Sequence, residues 1–583
     1  MSAVNIKING YNYTMEAGIT ILDASFETLK FKREFLNQPI PTLYYLKGVV
    51  DVDESGVCVV EADGEIVNAS TTRVKEGMDI KTMSPEVVAA RKEALSKILA
   101  IHNKDCIHCF RSSNCELQTL LKEYEFTDEP DLPGECIERI DMSSVVLVRD
   151  NNKCIRCKRC INVCAKMQAV SAIACTGTGL NATIAPASPE GLGASSCVNC
   201  GQCVAVCPVG ALVEKSAISE VTDALADPKK YVVVQIAPAV RAGLGEDFEF
   251  PIGVDVEGRI AEGLRLLGFD KVFDTKFGAD LTITEEANEL VERITQGGVL
   301  PMISSCCPGW IKYAEHFYPD MLDNISSCKS PHQMQGAIVK SFLAEKEGLD
   351  KNDIVMVSVM PCTAKKFECT RDDEDGAGVP DVDIVITTNE LAKMFKDAEI
   401  QLEAMNPMTE FDYPLGFGTG AGVIFGATGG VMEAALRTAY ETISGKELAE
   451  LDFATVRGMN GIKEASVDID GTTVNVAVAS GLANANALLT KVKNGEADYQ
   501  FIEIMACPGG CINGGGQPHQ DAQTRRLVDV PATRAAALYG NDSKSKIRKA
   551  HENPYIKLLY NEYLEKPGSE KAHHLLHTTY VMR

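Results

Sequence analysis

CIRCKRCINVC at residues 154–164 and CVNCGQCVAVCP at 197–208 each separate three cysteines by two residues and a fourth by three. Three thiolates so closely spaced wrap one face of an iron–sulfur cubane, and the fourth ligand comes from the other run. One 4Fe–4S cluster is therefore expected on Cys154, Cys157, Cys160 and Cys207, and a second on Cys197, Cys200, Cys203 and Cys164. Structural zinc usually takes two separated Cys-x2-Cys pairs, so two full triple runs disfavour it.

Working outward, HNKDCIHCFRSSNC (102–115) offers His102, Cys106, Cys109 and Cys115, with His108 as a competing imidazole. Alone, a Cys3His set suits zinc as well as iron; beside the two cysteine runs a His-ligated 4Fe–4S cluster is the better reading. Lys153, Arg156, Lys158 and Arg159 oppose the chain's overall acidity. They either compensate an anionic cluster or form a docking patch for an acidic electron carrier.

The chain has 583 residues, enough for several cores, and 57 basic against 81 acidic residues give a net charge of −24. That charge argues against a general nucleic-acid binder. No 18-residue apolar run marks a membrane helix, and the N-terminus lacks a signal peptide's apolar core, so a cytoplasmic location is the default. In a reducing compartment 21 cysteines read as metal ligands rather than disulfides.

The fold class expected is α+β multidomain. Residues 1–80 read as a small β-grasp domain: VNIKI and YNYTM around Asn9-Gly10, a short helix from Ile19 to Leu29, and strands near Gly56–Glu61 and Gly64–Val67. Residues 81–125 carry a helix (85–100) and the His/Cys3 group, and 126–215 the paired runs. Residues 216–583 turn to α/β texture, with buried strands at 231–238, 299–304, 353–360, 383–388 and 501–506 and helices at 283–296 and 389–398. Three of these strands lead into Cys306, Cys362 and Cys507, and sites in α/β sheets form at carboxyl ends of strands.

Those strands end in SSCCPGW (304–310), MPCTAKKFE (360–368) and MACPGGCINGGGQP (505–518). Cys307, Cys362, Cys507 and Cys511 suffice for one cluster, the glycines at 509, 510 and 514–516 admit a bulky cofactor, and Lys365 supplies a cation. Buried cysteines are common core residues, but three such segments downstream of an electron relay point to one convergent site. The glycine-rich GFGTGAGVIFGATGG (416–430) lacks the Lys-Ser/Thr of a phosphate loop, so close packing near the cofactor explains it better.

These three segments, with the accessory His/Cys3 and ferredoxin patterns, closely resemble the iron-iron (FeFe) hydrogenases over essentially the whole chain, down to AHHLLH (572–577). The resemblance implies reversible reduction of protons to H2 at an H-cluster: a 4Fe–4S cubane bridged to a di-iron subsite with CO, cyanide and an azadithiolate. Cys307, Cys362, Cys507 and Cys511 would hold the cubane, Cys511 being shared with the di-iron unit. Lys365 would hydrogen-bond a cyanide, and Met360, Met505, Pro238 and Phe425 would line the pocket. Cys306 would pass protons along Glu286, Ser326, Glu289 and Arg293; without the resemblance, Glu286, Glu289 and Arg293 read as a solvated helix face with a salt bridge. It further implies three accessory 4Fe–4S clusters, ferredoxin or a similar acidic carrier as partner, and maturation proteins for the di-iron subsite. Rival functions are an H2 sensor or complex subunit, and an iron–sulfur assembly or electron-transfer protein; intact Cys306, Lys365 and Met505 argue against the last.

Several positions depart from the pattern. Where a plant-type 2Fe–2S cluster needs four cysteines stand Tyr44, Ser55, Cys58 and Ser70, so the fold is expected without that cluster. Ala239 stands where some relatives have Ser, and His332 where Gln is usual. Cys328 and Cys369 are extra thiols without a required ligand role, and Cys136 and Cys175 are expected in the core.

Overall fold

The alternating strands VNIKI and YNYTM pair as their pattern requires. Ala3–Ile8 runs antiparallel to Tyr11–Glu16 across Asn9 and Gly10, both at the positive φ of a primed turn. The computed structural model describes residues 3–29, 40–112, 114–126, 140–177, 182–469 and 471–583. The hairpin edges a five-stranded sheet in the order Tyr11–Glu16, Ala3–Ile8, Asp79–Lys81, Val59–Ala62, Glu65–Asn68. Helix Ile21–Leu29 packs on it through Ile21, Leu22 and Phe26. The later strands begin at Val59 and Glu65 rather than at Gly56 and Gly64, because both glycines turn the chain at positive φ.

Helix Pro85–Leu99 starts where proline sits in its first turn and the Ser84 hydroxyl accepts the Val87 N–H. It delivers the chain to His102. The cysteine runs that follow carry little regular structure: a small antiparallel sheet of Leu212–Glu214, Leu147–Asp150 and Ile140–Asp141, and a ribbon of Ile173–Thr176 with Thr183–Pro186. Cys175 lies exposed on that ribbon, contrary to the expectation of a core residue. A two-stranded ribbon has a face that nothing covers. Cys136 lies outside the described residues.

The remaining chain builds two four-stranded sheets. One is fully parallel, in the order Lys271–Asp274, Tyr231–Ile236, Ile354–Met360, Ile384–Thr387. The other runs Met302–Ile303, Phe501–Met505, Thr472–Ser480, Ile462–Ile469, with only the last pair antiparallel. The cysteine-terminated strands are thus divided, Ile354–Met360 in the first sheet and the other two in the second. The strand expected at 299–304 shrinks to Met302–Ile303, since Val299 and Leu300 are exposed and Pro301 has no N–H to donate. The helix expected at 283–296 begins earlier, at Lys276, because its first turns are buried on all sides and show no amphipathic period.

Glu503, in the middle of the buried Phe501–Met505 strand, accepts the N–H groups of Gly429 and Met432, each at 2.7 Å. These are donors that helix Gly430–Ser444 leaves unpaired at its start. Replacing Glu503 by Ala strips both of their acceptor, at a cost of about 2–4 kcal/mol. Amide exchange at 429–432 is expected to accelerate accordingly; unchanged protection there refutes the role.

Candidate active site and its iron–sulfur relay

Five segments meet where the two sheets present their carboxyl ends. The Ala506 N–H donates to the Cys307 sulfur at 3.3 Å, joining the first cysteine segment to the third. Gly516 donates its N–H to the Pro361 carbonyl at 2.9 Å, joining the third to the second. The Ile512 N–H reaches the Gly426 carbonyl and the Thr428 N–H the Gly509 carbonyl, which seats the segment after Phe425 against the same loop. Gln517 donates to the Ala239 carbonyl at 2.9 Å, bringing in the residues that follow the Tyr231–Ile236 strand. Met360, Met505, Pro238 and Phe425 are all buried at these junctions.

Burial pushes the thiols of Cys307, Cys362, Cys507 and Cys511 upward, Cys362 to about 12, and their mutual repulsion adds to the shift in Cys362, Cys507 and Cys511. Thiolates crowded into such a place persist only on a metal, and four of them satisfy one iron–sulfur cubane. Gly510 adopts φ +99, and a Cβ there would meet the Thr428 nitrogen at 2.6 Å. The donor set and its glycine cradle fit the cluster the sequence implies.

Lys365 donates to Glu368 at 2.8 Å and to the Cys306 carbonyl at 3.2 Å. Burial disfavours its charge, but Glu368 more than offsets this and raises its pKa. Glu368 also accepts from Ser330 at 2.9 Å and makes a short contact with His332 Nε2. Burial, then the Lys365 charge, holds His332 down to about 4, so the imidazole is neutral near pH 7 and serves as a donor to Glu368. His332 is packed against Glu368, which in turn orients Lys365.

Residues 230–515 match the family described as "Iron only hydrogenase large subunit, C-terminal domain", and 528–583 match "Iron hydrogenase small subunit". Residues 91–130, 153–211 and 1–85 match, respectively, the NADH-ubiquinone oxidoreductase-G iron-sulfur binding region, a 4Fe-4S dicluster domain and a 2Fe-2S iron-sulfur cluster binding domain. The chain is similar to NADP-reducing hydrogenase subunit HndD of Solidesulfovibrio fructosivorans, 46% identical with 100% of each chain covered. It is 43% identical to iron hydrogenase 1 of Clostridium pasteurianum, covering 99% of each. The chain belongs to the FeFe hydrogenase family. An apo structure of FeFe-hydrogenase HydA1 from Chlamydomonas reinhardtii superposes at TM-score 0.56 with 46% identity, over 63% of this chain and 99% of that one.

In this hydrogenase the two cysteine runs lie side by side. Cys160 lies near Cys157, Cys154 and Cys207, while Cys203 lies near Cys200, Cys197 and Cys164, with Cys160 of the first group also close by. The second group abuts the active site: Thr363 donates to the Asn199 carbonyl at 2.7 Å, and Gln202 to the Asn513 carbonyl at 2.9 Å. The first group abuts the His/Cys3 segment, where Arg111 donates to the Cys207 carbonyl at 3.1 Å. His102 is largely buried with Nδ1 at 3.1 Å from the Lys153 carbonyl, which leaves Nε2 for a metal. His108, the rival, is exposed and pairs with Asp105. Arg159 corrects the docking-patch expectation: it is buried in a two-point salt bridge with Glu116. Burial opposes the ionisation of Glu116, but Arg159 and His519 hold its carboxyl down at about 2.

The hydrogenase's helix Lys276–Gln296 carries Glu286, Glu289 and Arg293 on one face. Ser326 donates to Glu289 at 2.8 Å, and Arg293 to the other oxygen of Glu289 at 2.6 Å. The salt bridge of the simpler reading is thus present, and Arg293 also holds the carbonyls of Val299, Asp323, Asn324 and Ile325. Glu286 is fully buried and neither carboxylate oxygen has a hydrogen-bond partner among the described residues. Cys306 lies close enough that, after burial, the Glu286 charge is the main influence raising its thiol. Two neighbours of this route had no role assigned from sequence: Cys328, whose sulfur lies 3.8 Å from Glu289, and His577, bonded to Ser327 at 2.8 Å. Both come from segments remote from the helix. Cys369 sits behind the site, its sulfur 3.4 Å from the Lys365 carbonyl.

Burial, then the nearby charge of Glu289, pushes Glu286 up to about 8. It therefore carries its proton at pH 7 and loses it as pH rises through that value. Infrared difference spectra are expected to show a protonated carboxyl band that fades across this range and is missing in Glu286→Gln. A band absent from the parent protein at pH 7 refutes the assignment.

Proposed function

We propose that the chain exchanges electrons with a ferredoxin or similar acidic carrier and interconverts protons and H2 at the convergent cysteines. The observation that carries this reading is Cys306, a buried thiol beside four cluster-suited thiols, with Lys365 at its carbonyl and Glu286 behind it. Cys307, Cys362, Cys507 and Cys511 would hold the cofactor, whose di-iron part maturation proteins would install. When bound, that cofactor supplies the metal-assisted splitting and joining of H2 with a base at hand.

The chain's own residues do the rest. Lys365, fixed by Glu368 and His332, presents a cation to an anionic ligand. Met360, Met505, Pro238 and Phe425 keep water out. Ala239 offers no hydroxyl, so Lys365 carries more of the polar contact. Cys306 hands protons to Glu286, and Ser326 and Glu289 carry them to the helix surface, with Arg293 holding Glu289 in place. Four parts divide the labour: a β-grasp domain (1–80), the His102, Cys106, Cys109 and Cys115 cluster (81–125), the two-cluster ferredoxin part (126–215), and the catalytic part (216–583). The first part holds no 2Fe–2S cluster: of its four ligand positions only Cys58 is a cysteine, and one thiolate cannot hold such a cluster. Electrons enter at the later clusters. A cytoplasmic location suits this role, and no helix among the described residues is long and apolar enough to cross a membrane.

A second reading has one specific support, whole-length similarity to a protein named as an NADP-reducing hydrogenase subunit. In that case the chain works within a larger assembly. H2-dependent NADP reduction that needs a co-purifying partner favours the assembly; turnover with reduced ferredoxin by the isolated chain favours the single enzyme.

Cys306→Ser is expected to lower H2 turnover by about 10²- to 10⁴-fold, the range a positioned proton-transfer group supplies. CO and cyanide infrared bands should persist in the variant, since Cys306 is not a ligand. Full activity with intact bands excludes the proton role.

A further inference from the structure

The turn that offers positions 44, 55, 58 and 70 is closed around one side chain that no ligand pattern includes. Asp53 is completely buried. Its Oδ2 accepts the backbone N–H groups of Leu43 (2.8 Å), Tyr44 (3.0 Å) and Tyr45 (3.1 Å). Its Oδ1 accepts the Ser55 N–H at 2.9 Å and makes a short contact with the Ser55 hydroxyl. The Asp53 N–H donates to Ser70 Oγ at 2.9 Å, and its carbonyl accepts from Asn68 at 2.7 Å. Three of the four positions are therefore bonded to Asp53 itself. The fourth, Cys58, is buried, and burial followed by the Asp53 charge pushes its thiol upward, away from the thiolate a metal needs.

Converging backbone N–H groups form a cradle for an anion. A 2Fe–2S cluster on four thiolates is one such anion, but the residues here do not fit it. We propose that the Asp53 carboxylate has taken the cluster's place, keeping the donors paired and turning an electron port into a non-redox clamp. This deepens the reading that the first part carries no cluster. What the clamp holds is visible in the same turn. The Tyr44 hydroxyl donates to the Ile155 carbonyl at 2.5 Å, inside the Cys154–Cys157 loop. The carbonyls of Tyr44 and Tyr45 accept from Arg159 at 3.2 and 2.8 Å. Asp53 is thus a positioning residue for the loop that wraps the first 4Fe–4S cluster. A neutral apolar residue in its place leaves three adjacent buried N–H groups without an acceptor.

The test uses the full-length holoenzyme. Asp53→Ala is expected to lower amide protection at 43–45 and 55 by about ten- to a hundredfold. It should also shift one of the 4Fe–4S paramagnetic resonance signals while leaving the CO and cyanide bands unmoved. Asp53→Asn, which keeps an acceptor oxygen but not the charge, should fold and show a smaller loss, so the proposal stays testable if the alanine variant is insoluble. Adding Tyr44→Cys, Ser55→Cys and Ser70→Cys should give no 2Fe–2S signal while Asp53 remains, and should give one when Asp53→Ala is combined with them. A 2Fe–2S signal in the unmodified protein overturns the cluster-free reading and the inference with it. With no such signal there, unchanged protection in both Asp53 variants, or equal cluster loading with and without Asp53, overturns the inference alone.

Discussion

Gly201 and Gly515 touch backbone to backbone: a Cβ on Gly515 would lie 2.5 Å from the Gly201 Cα, and one on Gly201 would strike Thr363 at 2.4 Å. Much of the molecule is organised by this approach. Gly201 stands inside the Cys200–Cys203 loop and Gly515 just past Cys511, so the contact fixes how near the last relay cluster comes to the catalytic one. Any side chain at either position would push the two cluster loops apart. The Thr363 and Gln202 hydrogen bonds tie the same pair of loops from both sides. The seam between relay and catalyst is therefore built from main-chain atoms.

A second constraint is electrostatic. The catalytic pocket gathers thiols, a lysine, a glutamate and a histidine in an interior that penalises each charge. The structure meets this by pairing. Lys365 shares Glu368 with a neutral imidazole, and Arg159 shares Glu116 with His519. Glu286 is the exception: no cation pairs with it, and it keeps its proton instead. A buried carboxyl left neutral by its surroundings is suited to giving and taking a proton near neutral pH.

The 4Fe–4S domains were legible in the sequence because their chemistry is local: Cys-x2-Cys spacing suits a wrapped cubane before any fold forms. The buried strands at Tyr231–Ile236 and Ile354–Met360 were legible as apolar runs for the same reason. The division of the cysteine-terminated strands between two sheets was not, since an apolar run carries no record of its neighbours. Arg159 shows the limit from the other side. In sequence it belongs to a basic patch, but its partner Glu116 lies 43 positions away and draws it inside. The 1–85 region matches a cluster-binding family while Cys58 is its one cysteine, so fold similarity and cofactor content must be judged separately there.

Cys306 and Cys307 condense the logic of the site into two adjacent residues. Cys307 has extended backbone, φ −103 and ψ 102, just before helix Pro308–Phe317. Successive side chains on extended backbone point to opposite sides. Cys307 turns toward the Ala506 N–H and the sheet end where Cys362 and Cys507 gather, and a Cβ added to Gly309 after it would lie 3.7 Å from the Cys200 Cβ. Cys306 lies beside Glu286 on the helix that leads outward, with Cys307, Cys511 and Lys365 also close to its thiol. Under the proposed roles, this geometry sends one of two identical thiols to the iron and electron side and the other to the proton side. On that proposal, separating the two routes keeps the proton carrier from becoming a ligand, even though it is the same residue type one peptide bond from the cluster.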